Sequence, residues 1–330
     1  MQLVRQNDKF STRRKSRRWG RTRDRVSRAR GSARSRARGQ VRAGVAVLAV
    51  AAIASGCASG ADGGANPAPG QQRLNAPPAR ALDSYAQKLR VAEVARAAAA
   101  KRWGLAKTPL TAPAAPAAKA KITTRKGFEV KGQASLPPVF TTIPTKKKVV
   151  FLTIDDGAEK DPALLKMMGE LKIPYTAFLS DYLVKEDYGY FKKMQSRGVT
   201  LNNHTLNHRY LPGLSYEGQR REICGMQNII HKRYGKRPEL FRPPYGNYNV
   251  DTLRAAKSCG IKAVPLWASE AFADHMEWRE WDRDLHPGDI ILTHFRGRED
   301  WKGTMPDMIR KVMKTVTDKG YAVARLEDYL

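Results

Sequence analysis

The chain has 330 residues, with 60 Lys or Arg against 31 Asp or Glu and a formal charge of +29. That balance would ordinarily point to a nucleic acid or another anionic surface. Its distribution argues otherwise: residues 1–56 carry 16 basic and 2 acidic side chains, residues 57–145 carry 13 and 4, and residues 146–330 carry 31 and 25. Most of the charge thus lies outside the part able to fold around a core, and no basic helix interleaved with aromatics occurs in that part, so no nucleic-acid partner is expected.

Residues 1–42 are rich in Arg, Ser and Gly and cannot bury a core. Residues 43–54 are an apolar run too short to span a bilayer but suited to the centre of a signal peptide, which gives a signal over residues 1–56 with a long basic start. Arg13-Arg14 faintly resembles a twin-arginine signal but lies far from the apolar run. Ser55-Gly56-Cys57 follows, and small residues just before a cysteine resemble a bacterial lipoprotein signal. The resemblance implies cleavage before Cys57, a lipid on its sulfur and a place on the outer face of the cytoplasmic membrane, although Ala54 stands where Leu, Val or Ile is usual. An ordinary secretory signal is the alternative; on either reading the protein is exported.

Residues 57–145 read as an Ala/Pro-rich tether, extended and semi-rigid, interrupted by one solitary helix near residues 80–103. The folded domain is expected over residues 146–330. Strand-like runs at 149–154, 175–179, 199–203, 239–241, 262–266, 289–293 and 321–326 alternate with helical stretches at 162–171, 188–197, 215–234, 250–259 and 306–319. Such alternation predicts a parallel α/β fold. About 185 residues is small for eight complete β/α units, so an incomplete or distorted barrel is expected. Cys224 and Cys259 fall in predicted helices of an exported domain, where either a disulfide or two small buried thiols is possible.

Chemistry gathers where strands end. Thr153-Ile154-Asp155-Asp156-Gly157 closes the first run with two adjacent carboxylates, which repel unless a cation takes one and a fixed positive charge holds the other. His204-Thr205-Leu206-Asn207-His208 follows the 199–203 strand; two histidines four apart on one helical turn can reach a single cation. With Asp156 they make two nitrogens and one oxygen with a position left open, the pattern of a catalytic rather than a structural zinc. Arg242-Pro243-Pro244-Tyr245-Gly246 places a permanent charge before a stiff loop, able to hold Asp155 ionised. Ile290-Ile291-Leu292-Thr293-His294 is another buried strand, ending in a histidine.

These four motifs, in this order and each after a strand, resemble the polysaccharide deacetylases of carbohydrate esterase family 4, with the NodB-homology domain. The resemblance covers essentially all of residues 146–330. It implies a distorted (β/α)7-type barrel and metal-dependent removal of acetyl groups from a sugar polymer. It also implies Asp156, His204 and His208 as ligands of zinc (cobalt or another divalent ion being alternatives) and Asp155 as general base held by Arg242. The Tyr245 N–H would stabilise the oxyanion, protonated His294 would donate to the leaving amine, and Leu292 with Trp267 would line the acetyl pocket. The fourth motif departs from the family. Trp267-Ala268-Ser269-Glu270 has Glu where Asp is usual, one residue is inserted before Asp274, and the groove Trp is missing. Asp274 is therefore the expected partner of His294, with Glu270 as a stand-in for the first acid and Trp278 or Trp281 as substitutes for the groove Trp. The expected function is a monomeric, membrane-anchored deacetylase of peptidoglycan or, second, of chitin-type oligomers. A non-catalytic glycan-binding module on the same fold is the rival; keeping all six polar groups of the site favours catalysis.

Overall fold

A computed structural model describes residues 79–330. The expected signal over residues 1–56, the Cys57 lipidation site and the tether up to residue 78 lie outside the described residues. In chain order the elements are α1 (Ala79–Arg102), β1 (Val139–Phe140), β2 (Val149–Asp156), α2 (Pro162–Leu171), β3 (Thr176–Leu179), α3 (Asp181–Val184), α4 (Tyr188–Gln195), β4 (Thr200–Asn203), α5 (Tyr216–Tyr234), α6 (Val250–Ser258), β5 (Val264–Pro265), β6 (Ser269–Ala271), β7 (Met276–Trp278), β8 (Ile290–His294), α7 (Met305–Asp318) and β9 (Ala322–Ala324). The five helices expected between residues 162 and 319 all form, within two residues of the expected limits.

The fold is α/β and centred on β2. All eight of its residues are buried, as an apolar, β-branched run covered on both faces requires. It pairs in parallel with β3, β8 and β9, and the main sheet runs β4-β3-β2-β8-β6-β7, with only β7 antiparallel. Parallel pairing puts the carboxyl ends of β2, β4 and β8 on one edge, which is where the motif residues sit.

The expected barrel is not closed by continuous ladders. The 239–241 stretch contributes single bridges, Asn203 to Phe241 and Leu240 to Ala263, and β5 pairs only with β1, in a separate two-stranded sheet. Pro238, Pro243, Pro244 and Pro265 crowd these segments, and each removes a backbone donor a longer ladder would need. The strip around β1 bonds to both flanks instead, through Leu266 N–H to the Phe140 carbonyl (2.7 Å) and Ile143 N–H to the Gly288 carbonyl (2.8 Å).

The boundary expected at residue 146 falls too late. Ala99 and Ala100 are buried against α2, and the buried Arg96 guanidinium donates to the carbonyls of Leu171 (3.2 Å) and Pro109 (2.6 Å). Beyond α1, Lys119 Nζ donates to the Glu327 carbonyl (3.2 Å), and Tyr248 Oη donates to the Phe128 carbonyl (2.6 Å). The helix near 80–103 is thus docked rather than solitary, and residues 104–145 lie along the domain. Alanine lets helices approach closely without announcing an apolar face, so composition alone read this stretch as a spacer. Cys224 and Cys259 form a disulfide (Cα–Cα 5.0 Å) that ties α5 to the end of α6.

Candidate metal centre and active site

The end of β2 brings both carboxylates to His204, whose Nε2 lies 3.7 Å from Asp155 Oδ2 and 3.6 Å from Asp156 Oδ1. Asp156 has φ 81° and Gly157 φ 101°, so the chain leaves the strand through two left-handed residues. At Gly157 a Cβ would lie 2.4 Å from Val184 Cγ1, so only glycine fits the second position. A left-handed aspartate is costly, and its neighbours hold it there: the Ser180 N–H donates to the Asp156 carbonyl (3.0 Å) and the Phe295 N–H to that of Asp155 (3.0 Å).

The two histidines meet, but not on the helical turn that their spacing suggests. Thr205 (φ 73°) and His208 (φ 51°) are left-handed, and the loop is bolted down from both sides. Asn203 Oδ1 accepts from the Thr205 N–H (2.9 Å), Thr205 Oγ1 from the His208 N–H (3.0 Å), and Glu222 on α5 from both the N–H and the amide of Asn207 (2.8 Å each). The result places His204 Nε2 3.6 Å and His208 Nε2 3.4 Å from Asp156 Oδ1. All three ligand atoms lie within 4.8 Å of one another.

Asp156 Oδ1 is buried and has no hydrogen-bond partner among the described residues. Burying such an oxygen is expensive unless a cation completes it. His204 Nδ1 lies 2.7 Å from the Arg242 carbonyl, which fixes the tautomer and turns the Nε2 lone pair toward Asp156. Burial pushes His204 down to about 4, so it is neutral, the form that ligates. Against the cost of burial, the imidazoles of His294, His208 and His204, with Arg296, hold Asp156 well below the usual carboxylate range. One carboxylate oxygen and two neutral imidazoles fit a zinc-like divalent ion.

Asp155 is kept on a different task. Its Oδ1 accepts from Arg242 Nη1 at 2.8 Å, and Arg242 is fully buried. Nη1 also donates to Thr153 Oγ1 (2.9 Å), and Nε and Nη2 donate to the carbonyls of Pro265 (2.8 Å) and Leu266 (3.3 Å), with the Phe178 ring 4.4 Å beneath. Burial pushes Asp155 up to about 7, with Arg242 opposing it.

Across β2, His294 lies in register with Asp155, and Leu292 with Thr153 and Glu270. Here the expected partner is wrong. Asp274 has 66% of its side chain exposed and bonds its neighbour His275 at 2.6 Å. The carboxylate facing His294 Nδ1, at 3.4 Å, is the buried Glu270. The inserted residue falls in the turn between β6 and β7, which swings Asp274 outward, while the longer Glu270 reaches from the adjacent strand. His294 is also not protonated at rest: burial pushes it down to about 3, against the pull of Asp156. Leu292 is buried, Trp267 packs over Gly246, where a Cβ would meet its ring at 2.8 Å, and the Tyr245 ring lies 4.7 Å from His208. Trp278 is in register with Ser269 on the antiparallel β7, so it and Trp281 beyond it run toward the amino ends of the strands, away from His294. One residue at the centre went unread: Arg296 Nη2 donates to Asp156 Oδ2 at 3.0 Å. An arginine two positions past a strand-end histidine was the available signal.

Comparison with known proteins bears on the family and the fold. Residues 142–264 match the family model described as Polysaccharide deacetylase. An uncharacterized protein of Streptomyces coelicolor is 40% identical over 66% of this chain and 87% of its own length. A peptidoglycan-N-acetylglucosamine deacetylase of Bacillus cereus is 26% identical over 57% of this chain and 91% of its own. The solved structure of the Bc1960 peptidoglycan N-acetylglucosamine deacetylase covers 58% of this chain and 92% of that one at 23% identity, with a TM-score of 0.51, a likeness of fold alone.

Proposed function

The chain belongs to the polysaccharide deacetylases, and from that premise we propose that it removes N-acetyl groups from an extracellular amino-sugar glycan, peptidoglycan before chitin-type oligomers, with zinc as its metal. The observation that carries the reading is the buried, unsatisfied Asp156 Oδ1 facing two imidazoles, beside a second acid held by a buried arginine. Held by Asp156, His204 and His208, a divalent ion supplies Lewis acidity toward an acyl carbonyl and toward water.

The remaining work falls to the chain itself. Asp155, oriented by Arg242, takes the proton from the attacking water. The Tyr245 N–H stabilises the developing oxyanion. Glu270 orients His294 through Nδ1. As the C–N bond breaks, His294 gives a proton to the leaving nitrogen, and the proton that Asp155 took from water returns to the imidazole, so one proton is taken up and one delivered per turnover. Leu292 and Trp267 accept the acetyl methyl. The products are acetate and a free amine on the sugar.

Export and membrane attachment through Cys57 complete the reading. The Cys224–Cys259 disulfide supports an oxidising compartment, and the apolar run before Cys57 supports a lipoprotein. The test is acetate release by the metal-loaded protein from peptidoglycan and from chitin oligomers. Release that stops on chelation and returns with Zn2+ is expected. Metal-independent glycan binding without release from any amino-sugar polymer would overturn the reading in favour of a binding module.

A further inference from the structure

Two adjacent carboxylates are reached by two guanidinium groups, and the mechanism above uses only one of them. Arg242 holds Asp155; Arg296 holds the other oxygen of the ligand, with Nη2 3.0 Å from Asp156 Oδ2. We propose that Arg296 is a positioning residue for the cation site, fixing Oδ2 of Asp156 so that Oδ1 is the oxygen presented to His204 and His208. The inference rests on the metal-dependent reading and deepens it.

Arg296 is put there by the backbone. The loop after β8 is stitched to the loop after β2, with the Phe295 N–H donating to the Asp155 carbonyl (3.0 Å) and the Glu159 N–H to the Phe295 carbonyl (2.9 Å). Phe295 is fully buried, which anchors the stitch. The far side of the fork meets Asp300 Oδ1 at 3.6 Å, and only 18% of the Arg296 side chain is exposed. A charge-assisted bond this sheltered is stronger and more directional than a surface pair.

The purpose follows from the freedom it removes. The terminal torsion of an aspartate is broad and nearly two-fold, so an unheld Asp156 would exchange its oxygens in front of the imidazoles. A guanidinium beside a cation also repels it. Here its charge is shared between Asp156 and Asp300, which offsets that repulsion.

The test is the Zn2+ affinity of the full chain, measured by competition with a chromophoric chelator, with the absorption spectrum of the Co2+-loaded protein as a second readout. Arg296→Gln is expected to weaken Zn2+ binding about tenfold or more, as loss of a ligand's outer partner does, and to change the Co2+ spectrum. Arg296→Lys, which keeps the charge but not the fork, is expected to weaken it about threefold. Unchanged or tighter Zn2+ binding in Arg296→Gln would overturn the proposal. Should that variant fail to fold, unchanged binding in Arg296→Lys would overturn it equally. Because the readout is metal affinity, a wild-type protein that binds Zn2+ but releases no acetate would sink the deacetylase reading and leave this one standing.

Discussion

The site has two halves, built to different standards. Asp155, Asp156, His204 and Arg242 stand at the ends of β2 and β4 and on the proline loop, each at most 2% exposed and each side chain held by a hydrogen bond from or to an arginine of the site. His294 and Glu270, on β8 and β6, meet at 3.4 Å, and the chain beyond β6 turns back through an exposed hairpin. The first half binds a cation and sets a base, where small displacements are expensive; the second handles the leaving group, where a longer acid has replaced a shorter one. The centre of the fold tolerates little, and its margin tolerates substitution.

The largest effect expected is at the first half. Asp155→Asn should lower kcat by about 10²–10⁴-fold while the protein still binds its metal, because a base is lost and not a ligand; acetate release together with metal content checks this. Equal loss from the second half would erase the contrast. Next, zinc should raise the thermal stability of the chelated protein, by about 2.7 kcal/mol at a hundredfold excess over Kd. Thermal melts with and without Zn2+ report it, and His208→Ala should remove most of the gain. Within the second half, Glu270→Gln should cost about tenfold or more in kcat, since a mispositioned imidazole transfers protons poorly, whereas Asp274→Asn should leave kcat unchanged. The reverse result would restore the partner that the sequence suggests.

The smallest effect gives a baseline far from both halves. Thr304 and Asp307 form a capping box at the start of α7, and the Thr304 hydroxyl and N–H bonds hold Asp307 down to about 2. A carboxyl lowered on folding adds stability above its ordinary pKa near 4, and that stability fades as pH falls toward 2. Asp307→Asn should flatten acid unfolding in that window without touching the metal. Thr304→Ala should cost about 1 kcal/mol in a denaturant melt.

The same contrast governs what the sequence made legible. Asp155, Asp156, His204, His208 and Arg242 are short-range signals, each next to a strand end, and the parallel order of strands carries them to one edge. Glu270 and Asp274 could not be ranked from sequence, because the choice depends on which residues the β6–β7 turn absorbs, and three-residue strands leave almost no periodicity. Arg296 was missed because its role exists only through the stitch between two distant loops. The barrel expectation assumed that every strand-like run finds a full ladder, and the prolines around residues 238–265 cut those ladders to single bridges and one two-residue pairing. Residues 80–145 were misread for another reason: Ala, Pro and Lys can line a domain's surface with few apolar residues to show for it.

The covalent link between α5 and α6 reaches further than stability. Gln227, three residues past Cys224, donates from Nε2 to the Cys259 carbonyl (3.1 Å), and its Oε1 accepts from Asn203 Nδ2 (3.1 Å), at the root of the ligand loop. Glu222, two residues before Cys224, clamps the loop's other end. Thiol reagents in an assay buffer would therefore strike twice, drawing off the ion and slackening the frame that holds its imidazoles. Material prepared in a reducing cytosol would carry that second fault before any assay began.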